Sequence, residues 1–344
     1  MEFNHFLSAY YPDTNYGGDR LFADMLDQAR QADRLGYASV SIPEHHLINI
    51  LLTPAPLQMA VKVAAETENL DIMTSVVQLP LHDMRTYAGE VVMTDILTDQ
   101  RLMLGVGRGA FAVEMDRMGA PIEHSREKFD ESLNVLQALL ENENVSWQGD
   151  YYTFDELTVM PRPVRKVPIM MAALAPPAIY HSALRGFHIQ TTPLMSSNEK
   201  MLEQVGAFHQ AKEELEEDGE DLTLSLSRVC WLAANEQDKW KKVAQAHEYY
   251  ALFDNVFTGP GKVHSGAIAP LPREQTVEEL ETNLLICTRD EFVDQLSIYA
   301  DAGVDQIILS QNIGPSNQET LDNMQAIAEE VMPHFTNRTH GEAA

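Results

Sequence analysis

The 344-residue sequence predicts one (β/α)₈ TIM barrel, in which parallel strands alternate with helices around a closed core. Short apolar, strand-like runs alternate with amphipathic helical runs about eight times. No repeat, low-complexity run or linker divides the chain, and its 44% hydrophobic residues can bury a large core. A doubly wound open sheet would show the same alternation, but the number of units favours the barrel.

Hydrophobic spacing and helix-terminating residues define the elements in order. Leu21, Met25 and Ala29 recur at helical spacing, and Gly36 ends that first helix. Pro54 opens the second helix, where its missing N–H is harmless. The expected strands lie at 3–9, 39–42, 70–80, 101–109, 168–173, 188–194, 222–234 and 304–311. The expected helices lie at 19–35, 54–68, 85–98, 125–142, 177–184, 198–217, 236–253, 289–303 and 318–332.

Two stretches interrupt this alternation. Residues 144–167 predict a long loop or a small hairpin before the fifth strand. Residues 254–283, rich in Gly and Pro, predict an insertion after the seventh strand that could act as a mobile lid. The helix at 289–303 belongs to that insertion, so the terminal helix is the eighth of the barrel. We expect one domain over residues 1–340.

Composition excludes several classes of function. The formal charge of −28 makes nucleic acid and anionic membranes poor partners. Two cysteines without motif spacing argue against a disulfide framework or a structural zinc site. The N-terminus lacks the features of a signal peptide, and no apolar run could cross a bilayer. We expect a cytoplasmic protein.

The first candidate site follows the second strand, where SVSI is stopped by Pro43 and followed by Glu44, His45 and His46. Residues at the carboxyl ends of barrel strands form the active sites of TIM-barrel enzymes. The alternative is that one histidine caps a helix or makes a core contact. Because adjacent side chains at a strand end usually point apart and no third ligand is evident, we expect no metal.

The second candidate site is the glycine-rich exit of the fourth strand, LGVGRGAF. Gly107 and its neighbouring glycines let the backbone approach a ligand, and Arg108 lies among them. Arg126 lies in the first turn of the next helix, where Ser125 could be the cap. A bound anion would offset the unfavourable position of this arginine beside the positive helix end. The pattern favours a phosphate site; surface salt bridges to Glu127 or Asp130 are the alternative.

Together these motifs resemble the bacterial luciferase-like family of flavin-dependent monooxygenases, over roughly residues 1 to 335. The matching stretches are Glu44-His45-His46, the run of Leu79, Pro80, His82 and Arg85, GVGRG at 105–109, Ser125-Arg126, the opening EFNHFLSAYYP, and PIMMAA with ALRG around the fifth strand and helix. The resemblance implies a dimeric barrel that holds FMN at its C-terminal mouth. A separate reductase supplies the reduced flavin, and O₂ converts it to a C4a-peroxyflavin that attacks a small organic substrate.

The resemblance also assigns roles residue by residue. His45 matches the histidine of acid–base chemistry, and Glu44 would fix its tautomer, hold the loop or play an exposed structural role. Arg108 and Arg126 match the arginines that bind the flavin phosphate. Ser75 and Val76 match a pair joined by a cis peptide against the isoalloxazine ring.

Some positions depart from the family pattern. Gly107, in the flavin-binding turn, replaces the reactive cysteine of luciferase itself, which weakens any expectation of light emission. Ala175 stands where Ser or Thr groups often contact the phosphate, so we expect its backbone to bind instead. Arg228, Trp231 and Arg273 are candidate substrate contacts, and Trp231 is equally compatible with the core.

Two other functions fit the same resemblance. One is an F420-dependent oxidoreductase that transfers hydride without oxygen on the same barrel. The other is a non-catalytic flavin-binding protein or the partner subunit of a heterodimer, although the retained His45 favours catalysis. The substrate and the identity of the reductase lie beyond the sequence.

Overall fold

The computed structural model describes residues 1–335 of the chain, so residues 336–340 of the expected domain lie outside the description. The strands, in chain order, are β1 (Glu2–Phe6), β2 (Ser39–Ile42), β3 (Asp71–Thr74), β4 (Val77–Gln78), β5 (Leu102–Gly107), β6 (Val145–Gln148), β7 (Thr153–Leu157), β8 (Ile169–Ala172), β9 (His188–Thr191), β10 (Leu224–Leu232), β11 (Val263–His264), β12 (Ala267–Ile268), β13 (Leu285–Cys287) and β14 (Gln306–Ser310). The helices are α1 (Gly18–Leu35), α2 (Pro56–Ala64), α3 (Met84–Leu97), α4 (Ala112–Arg117), α5 (Ser125–Glu141), α6 (Pro176–Leu184), α7 (Asn198–Leu215), α8 (Glu236–Phe257), α9 (Val277–Glu281), α10 (Arg289–Asp301) and α11 (Asn317–Glu330).

Eight parallel strands close into a barrel in the order β1, β2, β3, β5, β8, β9, β10 and β14. β14 returns to β1 with Glu2 opposite Gln306, and β9 pairs with β10 with Ile189 opposite Leu224. Because the sheet has no open edge between these strands, the doubly wound open sheet is excluded. The expected TIM barrel is confirmed.

The helices pack their apolar faces against the outside of the barrel. Along α1, Leu21, Met25 and Ala29 are buried, and Gly36 caps the helix with a φ of +78°. The last helices begin with capping boxes, for example Ser316 with Glu319 at α11. Gly36 thus ends α1 as predicted, whereas the prediction that Pro54 opens the second helix is wrong, because α2 begins at Pro56 and ends at Ala64.

Several elements differ from the sequence expectation. The predicted strand at 70–80 is divided into β3 and β4 by Ser75 and Val76. α4 forms within a stretch expected to be loop, and β13 pairs with the end of β10. The stretch after α5 contains an antiparallel hairpin, β6–β7, as the sequence allowed. Residues 254–283 contain the end of α8, the β11–β12 hairpin and α9.

Two apolar clusters support the architecture. The larger lies between the barrel and its helices and includes Phe3, Leu133 and Ile307. The smaller lies at the C-terminal mouth, where α8 packs against the loops after β2 and β5 through residues such as Ile50 and Phe111. This second cluster fixes the loops that carry the candidate site. Among the described helices, none is long and apolar enough to span a bilayer.

Candidate active site

A buried carboxylate, Glu44, organises the loop that follows β2. Its Oε1 accepts hydrogen bonds from Nε2 of His46 at 2.9 Å and Nε2 of His82 at 2.8 Å. Its Oε2 accepts the backbone N–H of Gln78 at 2.7 Å. Burial alone would raise the pKa of Glu44, but these hydrogen bonds outweigh it and lower the pKa to about 2. The same contact with Glu44 raises the pKa of His46.

A second buried carboxylate, Glu114 of α4, holds the neighbouring histidine. Nδ1 of His45 lies 2.8 Å from Glu114 Oε2, and the backbone N–H of His46 donates to Oε1. The His45 ring stacks on Phe111, with centroids 4.4 Å apart and planes at 21°. Glu44 thus bonds His46 and His82, whereas Glu114 bonds His45.

Gln78 joins these two carboxylate–histidine groups. Its Nε2 donates to the backbone carbonyl of Glu44 at 2.8 Å and to Glu114 Oε2 at 3.3 Å. The side chain is buried and follows directly on the turn between β3 and β4. In the described part of the chain no group of three or more His, Cys, Asp or Glu side chains is arranged to hold a metal ion. Hydrogen bonds from Gln78 link the members of the network to one another.

The turn between β3 and β4 faces the barrel interior. The Ser75–Val76 peptide bond is cis, the geometry that the family resemblance implies. Ser75 Oγ lies 2.7 Å from Nε2 of Gln190 on β9. Gly107 lies against this turn, because a Cβ at Gly107 would come within 2.6 Å of a Val76 methyl group. The close packing explains a glycine at the end of β5.

Arg108 and Arg126 are exposed at the same end of the barrel, and neither forms an ion pair or hydrogen bond with a described residue. The salt bridges to Glu127 and Asp130 that the sequence left open are not formed among these residues. Ser125 does not cap α5: its Oγ donates backwards to the Ile122 carbonyl, and no side chain caps the helix. Free N–H groups therefore remain at the start of α5.

Ala175 is the residue before α6, and the helix begins with Pro176 and Pro177. Proline has no N–H, so this helix end offers fewer backbone donors than an ordinary one. Ala175 itself is exposed and keeps its N–H.

The three candidate substrate residues contact other parts of the protein. Arg228 is 3% exposed and donates to the backbone carbonyls of Leu194 and Asn283. Arg273 bonds Asp254 at 2.7 Å. Trp231 lies in the apolar cluster of the mouth, with Nζ of Lys242 4.0 Å from its ring centroid. Assignment of Arg228, Trp231 and Arg273 to substrate stays a prediction.

Sequence reasoning missed three residues of this network: Gln78, Phe111 and Glu114. The available signal was modest. An aromatic residue and a carboxylate follow the glycine-rich turn at a spacing of three, which matches one turn of α4. A buried carboxylate needs a hydrogen-bonding or charged partner. The histidines that follow the second strand, His45 and His46, were candidates for that partner.

The family model described as luciferase-like monooxygenase matches residues 1–330. The chain belongs to this family. A luciferase-like relative from Acinetobacter baylyi, the oxygenase component of a flavin-dependent trigonelline monooxygenase, is 28% identical over 334 residues, covering 92% of this chain and 91% of the relative. Related members of the luciferase-like family are thus monooxygenases, which supports an oxidoreductase.

Two further relatives differ in cofactor. The oxygenating constituent of 3,6-diketocamphane monooxygenase from Pseudomonas putida, solved in complex with FMN, has a TM-score of 0.78 at 16% identity, covering 97% of this chain and 98% of that one. An F420-dependent glucose-6-phosphate dehydrogenase from Amycolatopsis mediterranei is 24% identical, covering 90% of this chain and 93% of the relative. Luciferase-like proteins therefore include both flavin and F420 enzymes, and the structural likeness supports the barrel fold.

Proposed function

We propose that this protein is a flavin-dependent monooxygenase that uses reduced FMN and O₂ to oxygenate a small organic substrate. The observation that carries the proposal is the pair of unpaired guanidinium groups, Arg108 and Arg126, at the end of the barrel that also presents His45. A separate reductase would supply the reduced flavin, because the trigonelline relative is the oxygenase component of its monooxygenase.

The residues at the mouth fit a phosphorylated flavin. In a chain with a formal charge of −28, two exposed arginines without partners among the described residues would supply the charge for a phosphate site, and one of them, Arg126, lies in the uncapped first turn of α5. The Ser75–Val76 turn and Gly107 would lie along the ring system, and the Ala175 N–H would add one donor. The prolines after Ala175 make α6 the weaker part of the phosphate site.

His45 is the residue that we assign to proton transfer. Bound reduced FMN would supply the electrons that activate O₂. Imidazole is the side chain best suited to accept and return a proton near neutral pH. Nε2 of His45 has no hydrogen-bond partner among the described residues, and its side chain is 13% exposed, so this nitrogen can reach a ligand. Glu44 would support the loop through His46 and His82.

Stopped-flow absorbance tests the proposal. Protein mixed with reduced FMN and then with O₂ should give a transient spectrum that belongs to neither reduced nor oxidised FMN. Oxidation at the rate of free reduced FMN, without a transient, would contradict the mechanism. Free reduced FMN and a heat-unfolded sample are the controls.

An F420-dependent hydride transfer is the second candidate, supported by the F420-dependent relative. Parallel fluorescence titrations with FMN and F420 separate the two. We expect tighter binding of FMN; a clear preference for F420 would replace the monooxygenase assignment. A non-catalytic role would be favoured instead if FMN binds but His45→Ala changes no step of its reoxidation.

We also propose that residues 254–283 cover the mouth as a lid. The Ile268 N–H of β12 donates to Asn49 Oδ1 of the loop after β2 at 3.0 Å, and Lys239 of α8 holds Glu281 of α9 at 2.6 Å. Limited proteolysis should cut within 254–283 less readily when FMN is bound. Equal cleavage with and without FMN would contradict a lid.

A homodimer is the assembly that we propose. On α3, Met93, Ile96 and Leu97 are exposed apolar side chains at helical spacing, and Met160, 73% exposed, follows the β6–β7 hairpin nearby. Such a patch typically marks a protein interface. Light scattering should give twice the mass of 38.6 kDa, and Met93→Glu should shift it towards the monomer. A monomeric wild type would exclude this interface.

A further inference from the structure

We propose that Glu114 and Gln78 are positioning residues that hold the proton of His45 on Nδ1 and so leave Nε2 as the nitrogen that exchanges protons with a bound ligand. The role of Nε2 rests on the proposed monooxygenase function. The position of the proton depends only on contacts within this chain and can be tested without any flavin.

The surroundings of Glu114 define its state. The backbone N–H of His46 donates to Oε1, and the amide Nε2 of Gln78 donates to Oε2 at 3.3 Å. Both of these neighbours are donors without a lone pair to offer, so Nδ1 of His45 is the one atom bonded to Glu114 among the described residues that could accept a carboxyl proton. An imidazole nitrogen is more basic than a carboxylate, so a proton shared by the two groups stays on the ring. A buried carboxylate surrounded by donors is stabilised in its ionised form.

An ionised Glu114 fixes the tautomer of His45. The carboxylate can only accept, so the 2.8 Å contact between Oε2 and Nδ1 requires the proton on Nδ1. A neutral ring then carries its lone pair on Nε2. Stacking on Phe111 and the His45 N–H bond to the Thr53 carbonyl, 3.3 Å long, hold the ring and its backbone in this orientation.

Gln78 orients Glu114 in turn. The Nε2 group of its amide faces two acceptors, the Glu44 carbonyl oxygen at 2.8 Å and Glu114 Oε2. A flipped amide would turn its oxygen towards both acceptors, so only one orientation is compatible with them. Gln78 Oε1 is buried and has no hydrogen-bond partner among the described residues. The side-chain amide therefore acts here through its donor group, the Nε2 amide.

The other carboxylate provides an internal contrast. Glu44 contacts Nε2 of both His46 and His82, so the same reasoning puts their protons on Nε2. Three histidines within one network are thus held in two different tautomers. The carboxylate that each ring contacts decides which one.

Long-range ¹H–¹⁵N correlation spectra of ¹⁵N-histidine-labelled protein, without flavin and at alkaline pH, report the tautomer of each ring directly. Spectra of single histidine variants supply the assignments. In the wild type we expect the ring proton of His45 on Nδ1 and the ring protons of His46 and His82 on Nε2. Each tautomer should be preferred roughly tenfold or more because the acceptor is charged. His45 found with its proton on Nε2 overturns the proposal.

Matched variants then test each residue. In Glu114→Ala, the Nδ1 preference of His45 should be lost while His46 and His82 keep their tautomer. Glu44→Ala should do the reverse. Gln78→Leu should weaken the His45 preference with Glu114 still present. A Glu114→Ala protein that retains the Nδ1 tautomer sinks the proposal; if this variant does not fold, the wild type and Gln78→Leu decide.

A functional readout follows the spectroscopic one. In stopped-flow mixing with reduced FMN and O₂, Glu114→Ala should slow the decay of the flavin transient by roughly 10²-fold, the lower range of positioned acid–base catalysis. Absence of any transient in the wild type removes the proposed function but leaves the tautomer assignment intact. A normal decay in Glu114→Ala with a changed tautomer would show that Nε2 exchanges no proton in this step, and it would overturn that part.

Discussion

The two ends of the barrel use arginine in opposite ways. At the N-terminal end, the strand starts surround a cavity of about 420 Å³ that is lined in part by Arg101 and Arg165. Arg101 donates to the carbonyls of Ala64 and Leu70 at 2.9 and 3.0 Å. At the C-terminal mouth, Arg108 and Arg126 have no partner among the described residues.

This difference shows that a cavity alone does not identify the functional end. At the N-terminal end, the guanidinium groups of Arg101 and Arg165 already form hydrogen bonds with neighbouring segments of the chain. A ligand there would gain little binding energy from them. The free arginines at the mouth carry charge that an anion can neutralise. The position agrees with the rule that TIM-barrel sites lie at the carboxyl ends of the strands.

The largest effect on stability should come from removing an ion pair at the N-terminal end of the barrel. Arg165 bonds Asp95, which is almost fully buried, at 2.7 Å and also donates to the Leu102 carbonyl at 2.8 Å. Arg165→Ala leaves that carboxylate without its cation, which costs about 3 kcal/mol of unfolding free energy, the lower value for a broken buried pair because Arg165 is partly exposed. Urea unfolding measures the loss.

Its control is the double variant Arg165→Ala with Asp95→Asn, which should recover part of the stability because no buried charge remains. FMN affinity per folded molecule should not change. A loss of FMN binding in Arg165→Ala, measured well below its unfolding transition, would contradict the division of roles between the two ends.

The sequence predicted the mouth better than the network within it. Glu44, His45 and Arg108 follow directly on strands, so local alternation and the stops at Pro43 and Gly109 were enough to assign them to the strand ends. Glu114 meets His45 across 69 residues of chain, a contact that depends on the lateral order of β2, β3 and β5 and on the formation of α4. No local pattern contains that information.

Orientation within a strand was the other limit. Arg228 lies in β10 between residues of alternating direction, and sequence alone could not decide which face carries it. The short strand β13 was missed because three apolar residues next to a helix give no period. The barrel itself was predictable because the strand-like and helical runs alternate about eight times, and each repeat supports the same architecture.

The second prediction concerns the free arginines. Each charge-assisted bond to a phosphate contributes about 1.5–3 kcal/mol, so Arg108→Ala and Arg126→Ala should each weaken FMN binding by roughly 10- to 100-fold. Thermal stability should stay within about 0.5 kcal/mol of the wild type, since neither side chain has a partner to lose. Fluorescence titration of FMN gives the affinity.

Arg34→Ala is the matched control, because Arg34 is an exposed arginine on α1, away from the mouth. Its FMN affinity should equal that of the wild type. Riboflavin, which lacks the phosphate, should bind all four proteins equally. If Arg108→Ala weakens riboflavin as much as FMN, the arginine acts on the ring system or on the fold and the phosphate assignment is wrong.

The smallest predicted effect concerns the pH dependence of stability, in which His46 and His188 should change the free energy of unfolding in opposite directions. At the mouth, the hydrogen bond with Glu44 raises the pKa of His46. At the N-terminal end, burial lowers the pKa of His188, whose Nδ1 accepts the Thr223 N–H at 3.2 Å and would lose that bond on protonation. The raised pKa of His46 stabilises the fold fully below pH 6.5 and less as pH rises through its folded value. The lowered pKa of His188 destabilises the fold as pH falls below 6.5.

Urea unfolding at pH 5.5 and pH 8 should separate these contributions. His46→Gln should cost more free energy of unfolding at pH 5.5 than at pH 8, because the variant loses a charged partner of Glu44. His188→Gln should cost less at pH 5.5 than at pH 8, because it removes a ring that resists protonation. If the cost of both substitutions changed with pH in the same direction, the two ends of the barrel would not differ in how they stabilise a positive charge. The contrast drawn from the arginines would then not extend to titrating groups.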